Sequence, residues 1–381
     1  MSAAAPSPGR SDGSAPGNPA VLEARRLTKH FPAAGPARGG PRRAARQVVH
    51  AVDGVSLSLQ AGRTTALVGE SGSGKSTLAR LLMGLYRPTD GEILLDGRPA
   101  RLRGRRWRRR YTAAVQMIFQ DPFSSLNPVH TVRYQLRRPL RNHPGAANPN
   151  VDQALEELLG LVQLTPAGQY LDKHPHELSG GQRQRVAVAR ALAVRPRVLL
   201  ADEPVSMLDV SIRLGLLNLL ADLQQAQGVA ILYVTHDIAS ARYFADDIAV
   251  MYAAEVVESG PSDQVTQHPA HPYTGLLISA APEPGRRRQV TGPTVPGELP
   301  DLIDPPAGCR FAARCPHVMD ICRAASPQWT DLGNGHRVRC HLHSEHDARE
   351  TLAGTSSAST SGSAHGTDSS AHGTSKGETT S

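Results

Sequence analysis

The sequence predicts an α/β domain with a largely parallel sheet, on three observations. Short apolar runs alternate with longer stretches of helical periodicity, between two low-complexity tails. A glycine-rich turn joins one buried run to a helix. Another buried run ends in two adjacent acids, at the sheet edge where α/β folds place their sites.

Taken in order, "TTALVG" reads as a buried strand and "KSTLARLLMGL" as the helix after it. "GEILLDG" and "VQMIFQ" read as strands, and "VDQALEELLGLVQL" has apolar residues at helical spacing. "RVLLADEP", "VAILYVTH" and "DDIAVMY" are strands with helices between them. There is no internal repeat.

At 381 residues the chain is long enough for more than one domain. No run of 18 apolar residues occurs, and "MSAAAPSPGRSDGSAPGNPA" lacks an apolar signal core, so the expected compartment is the cytoplasm. The formal charge is +8, but only Lys29, Lys75, Lys173 and Lys376 are lysines. That arginine skew, beside abundant Ala, Gly and Pro, points to biased composition and a solvated surface. Residues 1–20 and 346–381 are expected to be disordered tails, and the Pro32–Gln47 insert a loop.

"GESGSGKST", Gly69–Thr77, fits the phosphate-loop pattern G-x-x-x-x-G-K-[ST] between a strand and a helix. Gly69, Gly72 and Gly74 let the backbone curl, so the amides of Glu70, Ser71 and Ser73 form an anion nest with theirs. The following helix adds its positive end. Lys75 is expected to reach the β- and γ-phosphates, and Ser76 to offer a hydroxyl to Mg²⁺. In "VLLADE", Val198–Glu203, Asp202 is expected to hold Mg²⁺ through water and Glu203 to act as general base.

"ELSGGQRQRVAVARAL", Glu177–Leu192, narrows the choice. Its Leu178–Gln182 stretch resembles the signature of ATP-binding-cassette (ABC) ATPases. Ser179 can cap a helix at whose start Gly180 and Gly181 expose backbone amides to an anion. The resemblance implies a P-loop NTPase cassette with a RecA-like core and antiparallel β and α-helical subdomains, working as a dimer around two ATP molecules. It makes Gln120 the residue that senses Mg²⁺ and the water, His236 the γ-phosphate switch, and Asp209 part of the loop linking the two sites. Phe31 in "LTKHF" becomes the ring under the base.

"FQDPFSSLNP", "HPHELSGGQRQR", "DEPVSMLDVSI", "HPYT" and the cysteine stretch "GCRFAARCPHVMDIC" resemble the oligopeptide/dipeptide permease ATP-binding subunits, over Val21 to His343. This implies a cassette over 21–265, with a helical subdomain at about 121–195 carrying the signature, and a permease-type extension over 266–345. It implies an ATP-hydrolysing subunit on the cytoplasmic face of the membrane. Its partners would be a second ATPase subunit, two transmembrane permease subunits and, through them, an extracytoplasmic substrate-binding protein. Importers of nickel chelates, glutathione or sugars, and soluble ABC ATPases of repair or translation, are the rival readings. No nucleic acid is expected as partner. Met207 stands where the family usually has Ala, and Ala254 where Gly is common, which disfavours a left-handed turn there.

All four cysteines fall in the last quarter, with spacings C-x5-C, C-x6-C and C-x17-C. Two disulfides are not expected in a cytoplasmic ATPase. Cys309, Cys315, Cys322 and Cys340 could enclose zinc, with His317, His341 and His343 as further donors, or an iron–sulfur cluster, or remain free thiols. The permease resemblance implies a four-iron, four-sulfur (4Fe-4S) cluster. "RLRGRRWRRR", Arg101–Arg110, has seven arginines in ten residues. A solvated connection is its expected role, ahead of contact with anionic lipid and of base stacking on Trp107.

Overall fold

β3 (Thr64–Val68), β7 (Val198–Asp202) and β8 (Ala230–Thr235) are buried at every position, so both faces of the sheet they form must be covered. In the computed structural model, which describes residues 20–33, 47–100, 104–121, 125–143, 150–281 and 300–344, they lie at the centre of one eight-stranded sheet. β6 (Val115–Ile118), β7, β8, β3 and β9 (Asp247–Tyr252) run parallel in that spatial order. Alternate side chains go to opposite faces, as the two-residue period requires. Ala66, Val68, Leu199 and Ile231 join a core with Leu136, Leu155, Leu159 and Val188 of the helical region. Leu67, Leu200 and Leu232 join a second core with α1 (Lys75–Leu82) and the antiparallel sheet.

That second sheet has the order β2–β1–β4–β5, from β1 (Ala20–Pro32), β2 (Val48–Gln60), β4 (Asp90–Leu95) and β5 (Arg98–Pro99). Sequence period misses β1 and β2. Their register shifts between Ala24 and Leu27, where Arg26 has φ 46°, so buried residues fall three apart instead of two. β1 starts at Ala20, the last residue counted into the N-terminal tail. Pro32 pairs with Val48, and Ala33 N–H donates to the Gln47 carbonyl at 2.9 Å, so strand pairing bounds the insert on both sides. Residues 34–46 of the insert, and the tails 1–19 and 345–381, lie outside the described residues.

The helical region contains the helices Val132–Asn142, Val151–Leu161, Gly168–Leu171 and Gly180–Leu192. The C-terminal extension joins the main sheet. β10 (Glu255–Pro261) runs antiparallel to β9, β12 (Arg337–Val338) pairs with β10, and β11 (Thr330–Asp331) closes the edge. Phe311 is buried in the same core, against Tyr252 and Tyr273. No helix among the described residues is long and apolar enough to cross a membrane.

Candidate active site

Four neighbouring parallel strands deliver the predicted reactive residues to one edge. The phosphate loop leaves β3 at Gly69, His236 follows β8 directly, Glu203 follows β7, and Gln120 lies two residues past β6. Gly69 has no room for a side chain, because a Cβ there would lie 2.1 Å from the Met251 carbonyl. Gly74 turns into α1 at φ 105°, a left-handed conformation that favours glycine. Ser73 is fully buried and Ser71 exposed, and Ser76 and Thr77 lie in the first turn of α1. Lys75 is buried, and its Nζ donates to the carbonyls of Gly69 at 2.8 Å and Glu70 at 2.7 Å. Burial lowers its pKa, against the opposing pull of Glu203, Asp202 and Glu70.

Ser76 Oγ donates to Asp202 Oδ1 at 2.9 Å, so the hydroxyl and carboxylate stand side by side. Burial raises the Asp202 pKa, against the hydrogen bond from Ser76. Next in sequence, Glu203 is gripped on both oxygens. Gln120 Nε2 donates to Oε2 at 2.9 Å, and His236 Nδ1 lies 3.3 Å from Oε1. Gln120, Glu203 and His236, distant in sequence, thus meet at one carboxylate.

Other predicted residues stand apart from this group. Ser179 and Gln182 form a capping box on the Gly180–Leu192 helix, with Gln182 N–H to Ser179 Oγ at 3.3 Å and Ser179 N–H to Gln182 Oε1 at 3.0 Å. A Cβ at Gly180 would make ordinary contact with Leu208 Cδ2 at 3.9 Å, while one at Gly181 would abut Ile212 Cγ2 at 2.8 Å. Asp209 occupies the N-cap position of the Val210–Gln227 helix without a side-chain capping bond. Phe31 lies edge-on to Tyr86 at 5.3 Å, with Lys29 Nζ 4.9 Å from its ring centre.

Sequence reasoning missed a set of residues that hold the loop from behind. Tyr273, in the "HPYT" stretch, accepts the Glu70 N–H on its hydroxyl at 2.8 Å. Arg314, between two cysteines, pairs with the Glu70 carboxylate. Their only sequence signal was membership of a recognisable stretch, which carries no partner information. The expectation about Ala254 is corrected: Ala253 and Ala254 have φ 44° and 73°, so the β9–β10 turn is left-handed despite both Cβ atoms. Tertiary bonds impose it. Ala254 N–H donates to the Ser73 carbonyl at 2.9 Å, and Arg310 Nη1 to the Ala253 carbonyl at 2.6 Å.

His30, His50 and Asp53 each bring one donor atom within 4.8 Å of the other two. Arg310 Nη2 already lies 2.5 Å from Asp53 Oδ2, so the protein supplies this carboxylate with its own cation.

The four cysteines form no disulfide and come from segments near 309–322 and 340. Cys309 N–H donates to the Cys322 carbonyl at 2.7 Å. The sulfurs of Cys309, Cys315 and Cys340 each take the backbone N–H two residues on, from Phe311, His317 and Leu342. Burial pushes all three thiols up, Cys340 to about 11, against those N–H bonds. Among the described residues no three of the sulfurs lie within 4.8 Å of one another. His341 and His343 use Nε2 on the carbonyls of Ala325 and Ala270, both at 2.9 Å.

Residues 105–110 of the arginine run open a helix, α2 (Arg105–Ala114), on which all five of their arginines are exposed. Arg105, Arg108 and Arg109 share one face, i, i+3, i+4, and line a cleft with Arg141 and His143. Trp107 packs against the second core, so its ring is engaged in packing rather than open for base stacking. Residues 101–103 of the run lie outside the described residues.

The ABC transporter family model matches residues 52–206, and the oligopeptide/dipeptide transporter C-terminal region matches residues 257–322. The di/tripeptide transport ATP-binding protein DppF of Pseudomonas aeruginosa is 41% identical over 321 residues, 84% of this chain and 97% of its own length. The oligopeptide transport ATP-binding protein AppF of Bacillus subtilis is 40% identical over 327 residues, 85% of this chain and 98% of its own. Among solved structures, the dimeric ABC transporter cassette MJ0796 superimposes with a TM-score of 0.54 at 28% identity, covering 63% of this chain and 98% of that one. The chain belongs to the ABC transporter ATPases, in the branch of oligopeptide and dipeptide ATP-binding subunits.

Proposed function

We propose that this chain binds and hydrolyses ATP to drive an importer of oligopeptides or dipeptides from the cytoplasmic face of the membrane. The observation that carries the catalytic part is the Glu203 carboxylate, held by Gln120 and His236 beside the Ser76–Asp202 pair. The peptide part is supported by the names of the relatives and by the matching C-terminal region.

In this reading Lys75 and the amides of the Gly69–Thr77 loop bind the β- and γ-phosphates, except those of Glu70 and Ser73, which bond the Tyr273 hydroxyl and the Glu70 carbonyl, and the Phe31 ring takes the base. Ser76, Asp202 and Gln120 would hold Mg²⁺, which neutralises phosphate charge when bound. Glu203 accepts a proton from the attacking water as its oxygen bonds to the γ-phosphorus and the bond to the β-phosphate oxygen breaks, giving ADP and phosphate. Gln120 fixes the carboxylate from one side, and His236 fixes it from the other and turns to the γ-phosphate. Ser179, Gly180, Gly181 and Gln182 would contact the nucleotide of a second cassette, and Asp209 would lie at the joint between the two sites. Capping satisfies the Gln182 N–H, and the preceding amides at the start of that helix suit an incoming anion.

A groove of about 440 Å³ between Phe119, just before Gln120, and Tyr134 supports docking of a membrane subunit where it would sense the site. Cys309, Cys315, Cys322 and Cys340 would hold a 4Fe-4S cluster. The N–H bonds to three sulfurs suit thiolate ligands. The cluster would pin the extension to the sheet and plays no part in hydrolysis.

Glu203→Gln keeps the shape and removes the base. Hydrolysis is expected to fall by about 10²–10⁴-fold while ATP binding persists. Near-normal turnover of this variant, in a phosphate-release assay, would overturn the assignment of Glu203.

A further inference from the structure

The extension grips the phosphate loop through two arginines of one segment, Cys309–Cys315. Arg314 Nη1 lies 2.8 Å from Glu70 Oε2 and Nη2 lies 3.0 Å from Oε1, a two-point pair. The Arg314 side chain is 9% exposed and that of Glu70 31%, so the pair is partly shielded from water. The Tyr273 hydroxyl accepts the Glu70 N–H, while the Glu70 carbonyl accepts from Lys75 Nζ. At the other end of the loop, Ser73 is tied to the Ala253–Ala254 turn, and Arg310 clamps that turn.

Two physical facts give this arrangement a consequence for ATP. A carboxylate in the phosphate loop repels the nucleotide's negative charge unless a cation offsets it, and Arg314 is placed to do so. A buried ion pair is a weak device for stability alone, since apolar packing serves equally well. Its two-point geometry instead fixes the direction of the Glu70 side chain and, with Tyr273, the course of the backbone that bears the anion-binding amides.

We propose that Arg314 is a positioning residue of the nucleotide site and that it links occupancy of the four-cysteine site to nucleotide affinity. A filled cysteine site fixes both ends of the Cys309–Cys315 segment. The segment fixes Arg314, and Arg314 orients and neutralises Glu70. By thermodynamic reciprocity, bound nucleotide then tightens the hold of the cysteines on their metal by the same factor. The linkage rests on the metal reading given above, whereas the positioning role of Arg314 does not.

The test uses the full chain purified without oxygen, with mant-ATP fluorescence titration and a melting curve for each form. Arg314→Gln is expected to weaken mant-ATP binding by about tenfold, a typical coupling between sites. Adding Glu70→Gln in the same chain is expected to recover most of that loss, because the uncompensated charge goes with it. Wild-type affinity in Arg314→Gln would overturn the positioning role. So would a double variant as weak as the single, since the loss would then not run through Glu70. Arg314→Lys, which keeps the charge without the two-point geometry, is expected to fall between Arg314→Gln and wild type and to melt near wild type.

Stripping the metal with chelator under reducing conditions is expected to weaken mant-ATP binding several-fold in wild type and to leave Arg314→Gln unchanged. Equal weakening in both, or none in wild type, would overturn the linkage. Iron and zinc assayed on the same samples separate the two failures. A chain isolated without metal defeats the metal reading and the linkage with it, while the Gln variants still decide Arg314.

Discussion

Glu203 carries its carboxylate on a costly backbone, with φ 46° in the left-handed region, where a side chain costs roughly 1–2 kcal/mol. Its N–H donates to the Val234 carbonyl at 2.9 Å, and Ser206 Oγ donates to its carbonyl at 3.0 Å, so the neighbours impose the conformation. Strain sustained in this way is common where a reactive group must be aimed. His271 shows the same dependence on surroundings in its protonation. It is 2% exposed, its Nδ1 accepts the Tyr273 N–H at 3.1 Å, and burial lowers its pKa to about 4, against the pull of Glu258 and with a further push from His343. The unfolded chain binds this proton near pH 6.5 and the folded chain only near 4. Stability from this residue is therefore complete above pH 6.5 and declines as pH falls toward 4, by about 3 kcal/mol in all. His271→Asn keeps a capping acceptor without the titration. Its urea midpoint should lose less than that of wild type over this range, and parallel curves for the two would refute the assignment.

At the scale of elements, what decides the extension is its pairing rather than its length. β12 covers the open edge of β10, and Phe311 enters the main core, so the extension is continuous with the cassette. Continuous short apolar runs made β3, β7 and β8 legible, because each is an unbroken five- or six-residue strand buried on both faces. β1 was not legible, because its bulge breaks the period that identifies a strand. The cysteines were legible as a group, but not their bonding, which depends on how the segments converge. Protein purified without oxygen is expected to carry iron and acid-labile sulfide at about four each per chain, with broad visible absorbance. One zinc per chain without iron would replace the cluster with a metal staple, and the absence of both would leave thiols.

At the scale of the molecule, the residues of one chain divide into two groups that do not meet. Gln120, Glu203 and His236 gather at the ends of parallel strands, while Ser179–Gln182 cap a helix of the helical region. The solved cassette MJ0796 is dimeric, and the second cassette proposed above would bring the two groups together. Glu203→Gln with ATP is expected to elute as a dimer in gel filtration and as a monomer with ADP. A monomer in both would remove the two-cassette reading.

The sequence by itself determined the nucleotide chemistry. The phosphate loop, the acid pair after β7 and the helix-capping signature are each short runs whose spacing is set by local backbone geometry, so consecutive residues suffice to read them. Tertiary structure alone decided how that site is supported. Arg314 meets Glu70 across 244 positions, and the two alanines of the β9–β10 turn accept left-handed angles because Ser73 and Arg310 bind them there. Local propensity argues against that turn, and no spacing rule encodes that pair. Both follow from the path of the chain, which brings the extension back onto the sheet and so beneath the phosphate loop.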